Sequence, residues 1–129
     1  MIRITVQTGK RIDMVNITSE VRKAVKESGV IDGICHVFIP HTTAAVTINE
    51  NADPDVVGDI EAHVSKLIPR DTGFRHAEGN SDGHIKASLF GASETVFVEG
   101  GVLVLGTWQG IYLCEFDGPR NRNVLIKVQ

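Results

Sequence analysis

The chain lacks most of the features that assign a sequence to a class at sight. It has two cysteines, Cys35 and Cys114, each inside an apolar run (ICHVFI and IYLCEF) and neither in CxxC spacing. A disulfide framework is therefore not expected, and both thiols are predicted to be reduced and buried. There is no basic excess either. Lys and Arg number 13 against 16 Asp and Glu, giving a net charge of −3 and a pI near 5.9. The longest basic cluster, Arg120-Asn121-Arg122, is too thin to track a nucleic-acid backbone, so nucleic acid is not an expected partner. Nowhere do eighteen uncharged apolar residues run together, and MIRITVQTGKRID has charges where a signal peptide has its apolar centre. The expectation is a cytoplasmic protein with no membrane partner. GxGxxG, GxxxxGK[ST] and GxSxG are all absent, which removes the usual dinucleotide, P-loop and nucleophile-elbow readings.

What is present is enough apolar material, 42% of 129 residues, to build a core without help from metal or disulfide. Residues 2–7 (IRITVQ) and 11–17 (RIDMVNI) alternate apolar with polar around Thr8-Gly9-Lys10 and predict a hairpin. Thr18-Ser19-Glu20 offers a capping hydroxyl and a first-turn carboxylate to a short helix that Gly29 stops. Residues 33–39 are β-rich up to Pro40, and 45–49 read as extended. The clearest helix runs from Asp53 to Ile68. Asp53 is its cap, Pro54 its first position, and Val56, Val57, Ile60, Val64, Leu67 and Ile68 form one apolar stripe. A polar loop over 69–83 follows, then a single helical turn at Ile85–Phe90. Four β-like segments come last (95–98, 102–105, 111–116 and 124–128), separated by glycine-rich corners. With no repeat, linker or low-complexity tract, residues 1–129 are expected to form one α/β domain of the α+β kind. It would be a compact, largely antiparallel β-sandwich with two main helices.

Chemistry concentrates in the polar loop. The stretch RHAEGNSDGH holds His76 and His84 eight positions apart, with glycines between them that let the chain fold back. His41, after Pro40 at a strand end, is the third candidate imidazole. Three neutral imidazoles with an open position match a catalytic metal site, and any one of them would also serve as a general acid or base. His36, within a strand, and His63, beside the apolar stripe, are assigned packing or edge roles. Asp53 is explained as a cap. Glu50 has no such explanation and is a candidate base, magnesium ligand or orienter of an imidazole. Arg70, Arg75 and Lys86 bracket the loop and are candidate anion-holding groups. The single tryptophan, Trp108 in GTWQG, reads either as the wall of a cleft or as a core residue at a hairpin corner.

Three segments, HTTAAVTINENAD, RHAEGNSDGH continuing into IKASLFG, and GTWQGIYLCEFDGPR, together resemble the YjbQ-like family, also called the secondary thiamine-phosphate synthase family. GTWQ before an apolar strand and GN-x-D-x-H are its signatures, and both are intact. The resemblance implies a homotrimer with a histidine pocket near the subunit boundary. It also implies thiamine-phosphate synthase activity, the coupling of an aminopyrimidine diphosphate to a thiazole phosphate with release of pyrophosphate. Matched residue by residue, the pocket comprises His41, Thr42, Glu50, His76, Asn80, Asp82 and His84, with Trp108 and Gln109 as its wall. On this reading Glu50, Asp82 and His84 do the acid–base work, and His41, His76 and His84 hold a divalent metal (zinc or magnesium) or an anion. Thr42, Arg75, Asn80, Lys86, Trp108 and Gln109 contact a small phosphorylated metabolite. Two rival functions use the same groups: a non-catalytic trimer that binds a metal or metabolite, and a metal-dependent phosphoester hydrolase.

Overall fold

A computed structural model describes residues 1–70 and 73–129; residues 71 and 72, inside the expected polar loop, lie outside the described residues. In chain order the elements are β1 (Ile2–Gln7), β2 (Asp13–Asn16), α1 (Thr18–Ser28), β3 (Gly33–Phe38), β4 (Ala44–Glu50), α2 (Pro54–Leu67), α3 (Ser81–Phe90), β5 (Ser93–Glu99), β6 (Val102–Leu103), β7 (Gln109–Glu115) and β8 (Asn121–Val128). The strands form two sheets, ordered β1-β8-β3-β5-β6 and β2-β7-β4, and every pairing is antiparallel. The expected mixed α+β sandwich is what the chain forms.

The main core lies between the sheets. Cys35 and Val37 of β3, Val96 and Val98 of β5, and Val124 and Ile126 of β8 meet Val46 of β4 and Ile111 and Leu113 of β7, and α1 adds Val21, Ala24 and Val25. A second cluster covers the other face of the smaller sheet. Met14, Ala45, Tyr112 and Cys114 pack there with Ala87 and Phe90 of α3 and Val57 and Ile60 of α2. Strand β7 is thus enclosed on both faces, which is why IYLCEF is apolar without alternation. Both cysteines are buried and free, as expected.

Several expectations need correction. The segments 2–7 and 11–17 do not pair with each other: β1 pairs with β8, and β2 pairs with β7 in the other sheet. Thr8-Gly9-Lys10 has turn chemistry, but the chain uses it to cross between sheets. The N-cap of helix α1 is Ile17, which supplies no side-chain bond; Asn16 before it steadies the entry, its Oδ1 accepting from the Thr18 N–H at 3.0 Å and the Thr18 hydroxyl at 2.6 Å. Its end behaves as expected, with Gly29 left-handed at φ 72°. In α2 the Asp53 carboxylate caps the Asp55 N–H at 2.9 Å, yet no residue of the helix is fully buried and Leu67 is 67% exposed. His63 on this helix is exposed, and His36 sits half-buried on central strand β3, 3.3 Å from Thr95 Oγ1.

The largest difference is α3, a ten-residue helix from Ser81 in place of a single turn from residue 85. It swallows the second half of the polar stretch, so His84 is a helical residue. Gly83 makes the docking possible. A Cβ there would stand 2.9 Å from the Phe116 carbonyl oxygen and 3.5 Å from Thr43 Cβ, so only glycine lets α3 lie this close to the smaller sheet. Gly83→Ala is expected to lower stability by roughly 1–2 kcal/mol in spite of alanine's better helix propensity, because backbone rather than a flexible side chain must give way. Denaturant unfolding of the two proteins checks the sign, and a more stable alanine variant would contradict the packing.

Candidate functional site

One end of the sandwich is built around a buried ion pair. Arg122, the second residue of β8, and Glu115, the last residue of β7, are 3% and 0% exposed. The Arg122 Nε donates to the two Glu115 carboxylate oxygens at 2.9 and 3.0 Å. Its terminal nitrogen also reaches the Thr43 carbonyl at 3.2 Å and hydroxyl at 2.7 Å. The Thr8 hydroxyl and the Asp117 N–H donate to the same carboxylate at 2.8 and 3.1 Å. Burial pushes the Glu115 carboxyl up, but Arg122, Thr8 and Asp117 outweigh it and hold it below the usual carboxylate range. The turn that follows is fixed by Arg120, which donates to the Asp117 carbonyl and carboxylate at 2.9 and 3.1 Å. Asn80 Nδ2 donates to that carboxylate at 2.8 Å.

Above this platform opens a cleft of about 520 Å³. His41, His76 and His84 all line it, with Thr42, Thr43, Glu78, Asn80, Asp117, Arg120 and Arg122. The three imidazoles singled out in the sequence therefore come together from two separate parts of the chain. Strand β3 ends at Phe38, and Ile39-Pro40 after it delivers His41; α3 delivers His84; the segment before α3 delivers His76. The His76 and His84 rings meet edge-on, centroids 5.4 Å apart at 87°. His76 Nε2 is 3.6 Å from Glu78 Oε2, both side chains being largely exposed. Asn80 Oδ1 is shut off from solvent and has no hydrogen-bond partner among the described residues.

His41 differs from the other two. Its Nε2 accepts the Asn123 backbone N–H at 2.9 Å. Burial, and then the nearby Arg122 cation, lower its pKa below the usual histidine value, so the ring is neutral at physiological pH. The three rings share the cleft without closing on one point. Among the described residues no three His, Cys, Asp or Glu side chains are grouped to hold an ion, and His41 already spends its lone pair on a backbone amide.

Other expected site residues stand elsewhere. Asp82, expected to work on protons, is fully buried under α3, where Arg11 grips both carboxylate oxygens at 2.9 Å and Lys86 Nζ approaches at 2.7 Å. Lys86, expected to hold an anion, is 2% exposed in that pair. Neither lines the cleft; they fasten the helix that carries His84. Glu50 and Gln109 face each other in register at the far end of β4 and β7, with six strand rises, roughly 20 Å, between Glu50 and the Ala44 end. Glu50 accepts the Ala52 N–H at 3.1 Å, Gln109 folds back onto the Gly106 N–H at 2.7 Å, and Trp108 is 64% exposed on the same turn. Arg75 lines an adjoining hollow with Phe74, His76, Ser81, His84 and Ile85.

Residues the sequence reading passed over are Thr43, Glu115, Asp117, Arg120 and Arg122. A signal was there. In EFDGPRNR two carboxylates and two arginines stand at alternate positions on either side of Gly-Pro, and on extended chain such spacing turns like groups to one face.

The family model described as UPF0047 protein YjbQ-like matches residues 2–129. The chain belongs to this family. It is 50% identical over 128 residues to the UPF0047 protein MJ1081 of Methanocaldococcus jannaschii, covering 99% of this chain and 93% of that one. It is 49% identical to the UPF0047 protein YugU of Bacillus subtilis, covering 97% and 96%. Among solved structures, an uncharacterised conserved protein of this family from Clostridium acetobutylicum superposes with a TM-score of 0.98 at 53% identity, over the whole of both chains. A YbjQ-like protein of unknown function from Sulfolobus solfataricus gives 0.94 at 34%, covering 98% of this chain and 93% of that one. No helix among the described residues is long and apolar enough to cross a membrane.

The Asp82 anchor generates a pH prediction. Burial raises that carboxyl, but Arg11 and Lys86 overcome it and hold the group down to about 2 from an ordinary 3.8. Since the native pKa is the lower one, the unfolded chain takes up the proton first on acidification. The contribution, about 2 kcal/mol, is present above pH 4 and is lost as pH falls toward 2. Denaturant midpoints measured across that range should fall for the wild type, with a shallower slope for Asp82→Asn.

Proposed function

We propose that the chain is an enzyme acting on a small phosphorylated metabolite bound in the histidine cleft, with His84 as the proton-transferring group. The observation that carries this reading is the convergence of His41, His76 and His84 with Arg120 on one open cleft of about 520 Å³. Among the described residues neither His76 nor His84 has a ring nitrogen bonded to the backbone, which leaves both rings available to a ligand. Arg120, half-exposed at the rim, supplies positive charge for a phosphoryl group. The first turn of α3, which has no side-chain cap, adds backbone N–H groups.

The finer reading rests on the resemblance to the secondary thiamine-phosphate synthase family. It is the coupling of an aminopyrimidine diphosphate to a thiazole phosphate with departure of pyrophosphate. The leaving group needs cationic stabilisation. Lys86 is spent on Asp82, so Arg120, and Arg75 in the adjoining hollow, take that part. Homotrimer formation belongs to the same proposal. Glu50, Trp108 and Gln109 lie at the opposite end of β4 and β7 from the cleft, so they support a role in the pocket only where a neighbouring copy brings its far end against it.

The test is pyrophosphate release by the purified chain given both precursors, with and without a chelator, beside His84→Gln. The expected result is chelator-insensitive turnover that falls on the order of 100-fold or more in the variant. Equal rates would remove His84 from the mechanism. Metal-dependent release of phosphate from a single substrate would favour the hydrolase, and tight binding without turnover the non-catalytic binder.

A further inference from the structure

The hydrogen bond made by His41 fixes more than the position of its ring. Strand β3 pairs with β8 only as far as Phe38 opposite Leu125, and the strand ends there. The Asn123 N–H, two residues nearer the start of β8, is taken by His41 Nε2 at 2.9 Å. The imidazole thus stands in for a missing rung of the sheet. Turning the ring over would set a C–H against that N–H, so the amide selects the orientation. A neutral imidazole carries one proton, and an Nε2 that accepts leaves that proton on Nδ1. Nδ1 has no partner among the described residues, and His41 lines the cleft.

We infer that His41 is a fixed hydrogen-bond donor, presenting Nδ1–H to an anionic oxygen of the bound ligand, and is neither a metal ligand nor the proton-transferring base. A metal on Nε2 would displace the Asn123 amide. A metal on Nδ1 would drive the proton to Nε2, where two N–H groups would face each other. Donation through Nδ1 disturbs nothing, because the orienting contact lies on the opposite side of the ring. The division of labour is then clear: β8 holds His41 in one tautomer, and the proton-transferring role falls to His84. The inference refines the proposed function by naming the group that receives a phosphoryl oxygen, and for ligand binding it rests on that reading. The tautomer does not.

A purely structural role needs only an acceptor for Asn123, whereas the proposed role needs a donor as well, and the two can be separated. Long-range proton–nitrogen correlation spectra of isotope-labelled protein at neutral pH should show the His41 proton on Nδ1, unchanged by stoichiometric zinc. Inorganic phosphate and pyrophosphate are then titrated into the wild type, His41→Gln and His41→Met. Glutamine can accept from Asn123 and donate to the ligand, and should keep affinity within a few-fold. Methionine donates nothing and should lose ~10-fold or more, the worth of a hydrogen bond to a charged group. A proton on Nε2, or a His41 signal that moves on adding zinc, overturns the assignment whatever the ligand data show. Equal affinity for all three proteins overturns the donor role with the tautomer intact. Failure of the wild type to bind either anion removes the phosphoryl partner, and with it the proposed function, while the spectra still decide the tautomer.

Discussion

The Glu115–Arg122 pair is the contact on which the site depends, because its two members belong to different sheets. Glu115 closes β7 in the three-stranded sheet, Arg122 opens β8 in the five-stranded one, and Thr43 and Thr8 join them from the ends of two further strands. Two charges buried in apolar surroundings are stable only when their hydrogen-bonding capacity is filled, and removing one partner of such a pair costs on the order of 3–5 kcal/mol. Here the carboxylate is met by a guanidinium, a hydroxyl and an N–H. The sheets are thereby held at one fixed separation where the cleft opens, something the non-directional main core cannot do by itself.

A second buried cluster, Arg11–Asp82–Lys86, does for α3 what the first does for the sheets. Helix α3 presents no strongly segregated apolar face; Asp82, Gly83, Lys86 and Ala87 are its buried residues. An ion pair and a close glycine contact hold it, with less help from apolar area than usual. The charged residues nearest the cleft thus divide into buried ones, which act as fasteners, and Arg120 and Glu78, which face solvent. Spacing in the sequence does not separate these classes. Asp82 and His84 are two residues apart, yet on a helix that places them about 200° apart around the axis, one inward and one toward the cleft.

Much of the fold was legible. Helix α2 carries its own start and stop in Asp53, Pro54 and Pro69, and Gly29 ends α1 in the left-handed conformation the sequence demands. The hairpin over 2–17 failed because turn residues report a change of direction and not which sheet the next strand enters. Helix α3 was half hidden, since Asn80-Ser81-Asp82-Gly83 favours loops on local propensity, and long-range ionic contacts with Arg11 override that preference. In the site, the loop and strand-end settings of His41, His76 and His84 made them candidates, but their spacing did not show that they share a cleft, and the expectation that they do rested on the family resemblance. That Glu50 and Gln109 lie at the other end of β4 and β7 within one chain was not readable: they share strands with cleft-side residues, and nothing in a linear motif tells one end of a strand from the other.

The two thiols have a practical consequence. Cys35 and Cys114 sit on different strands, one in each sheet, both fully enclosed, and burial pushes the Cys35 thiol up to about 11 and that of Cys114 higher still. A thiol held protonated and out of reach does not meet alkylating reagents or oxidants until its strand leaves the sheet. The molecule therefore carries a natural reporter in each half of its sandwich. The relative speed at which the pair is trapped by a small electrophile reveals whether the halves come apart together or in turn.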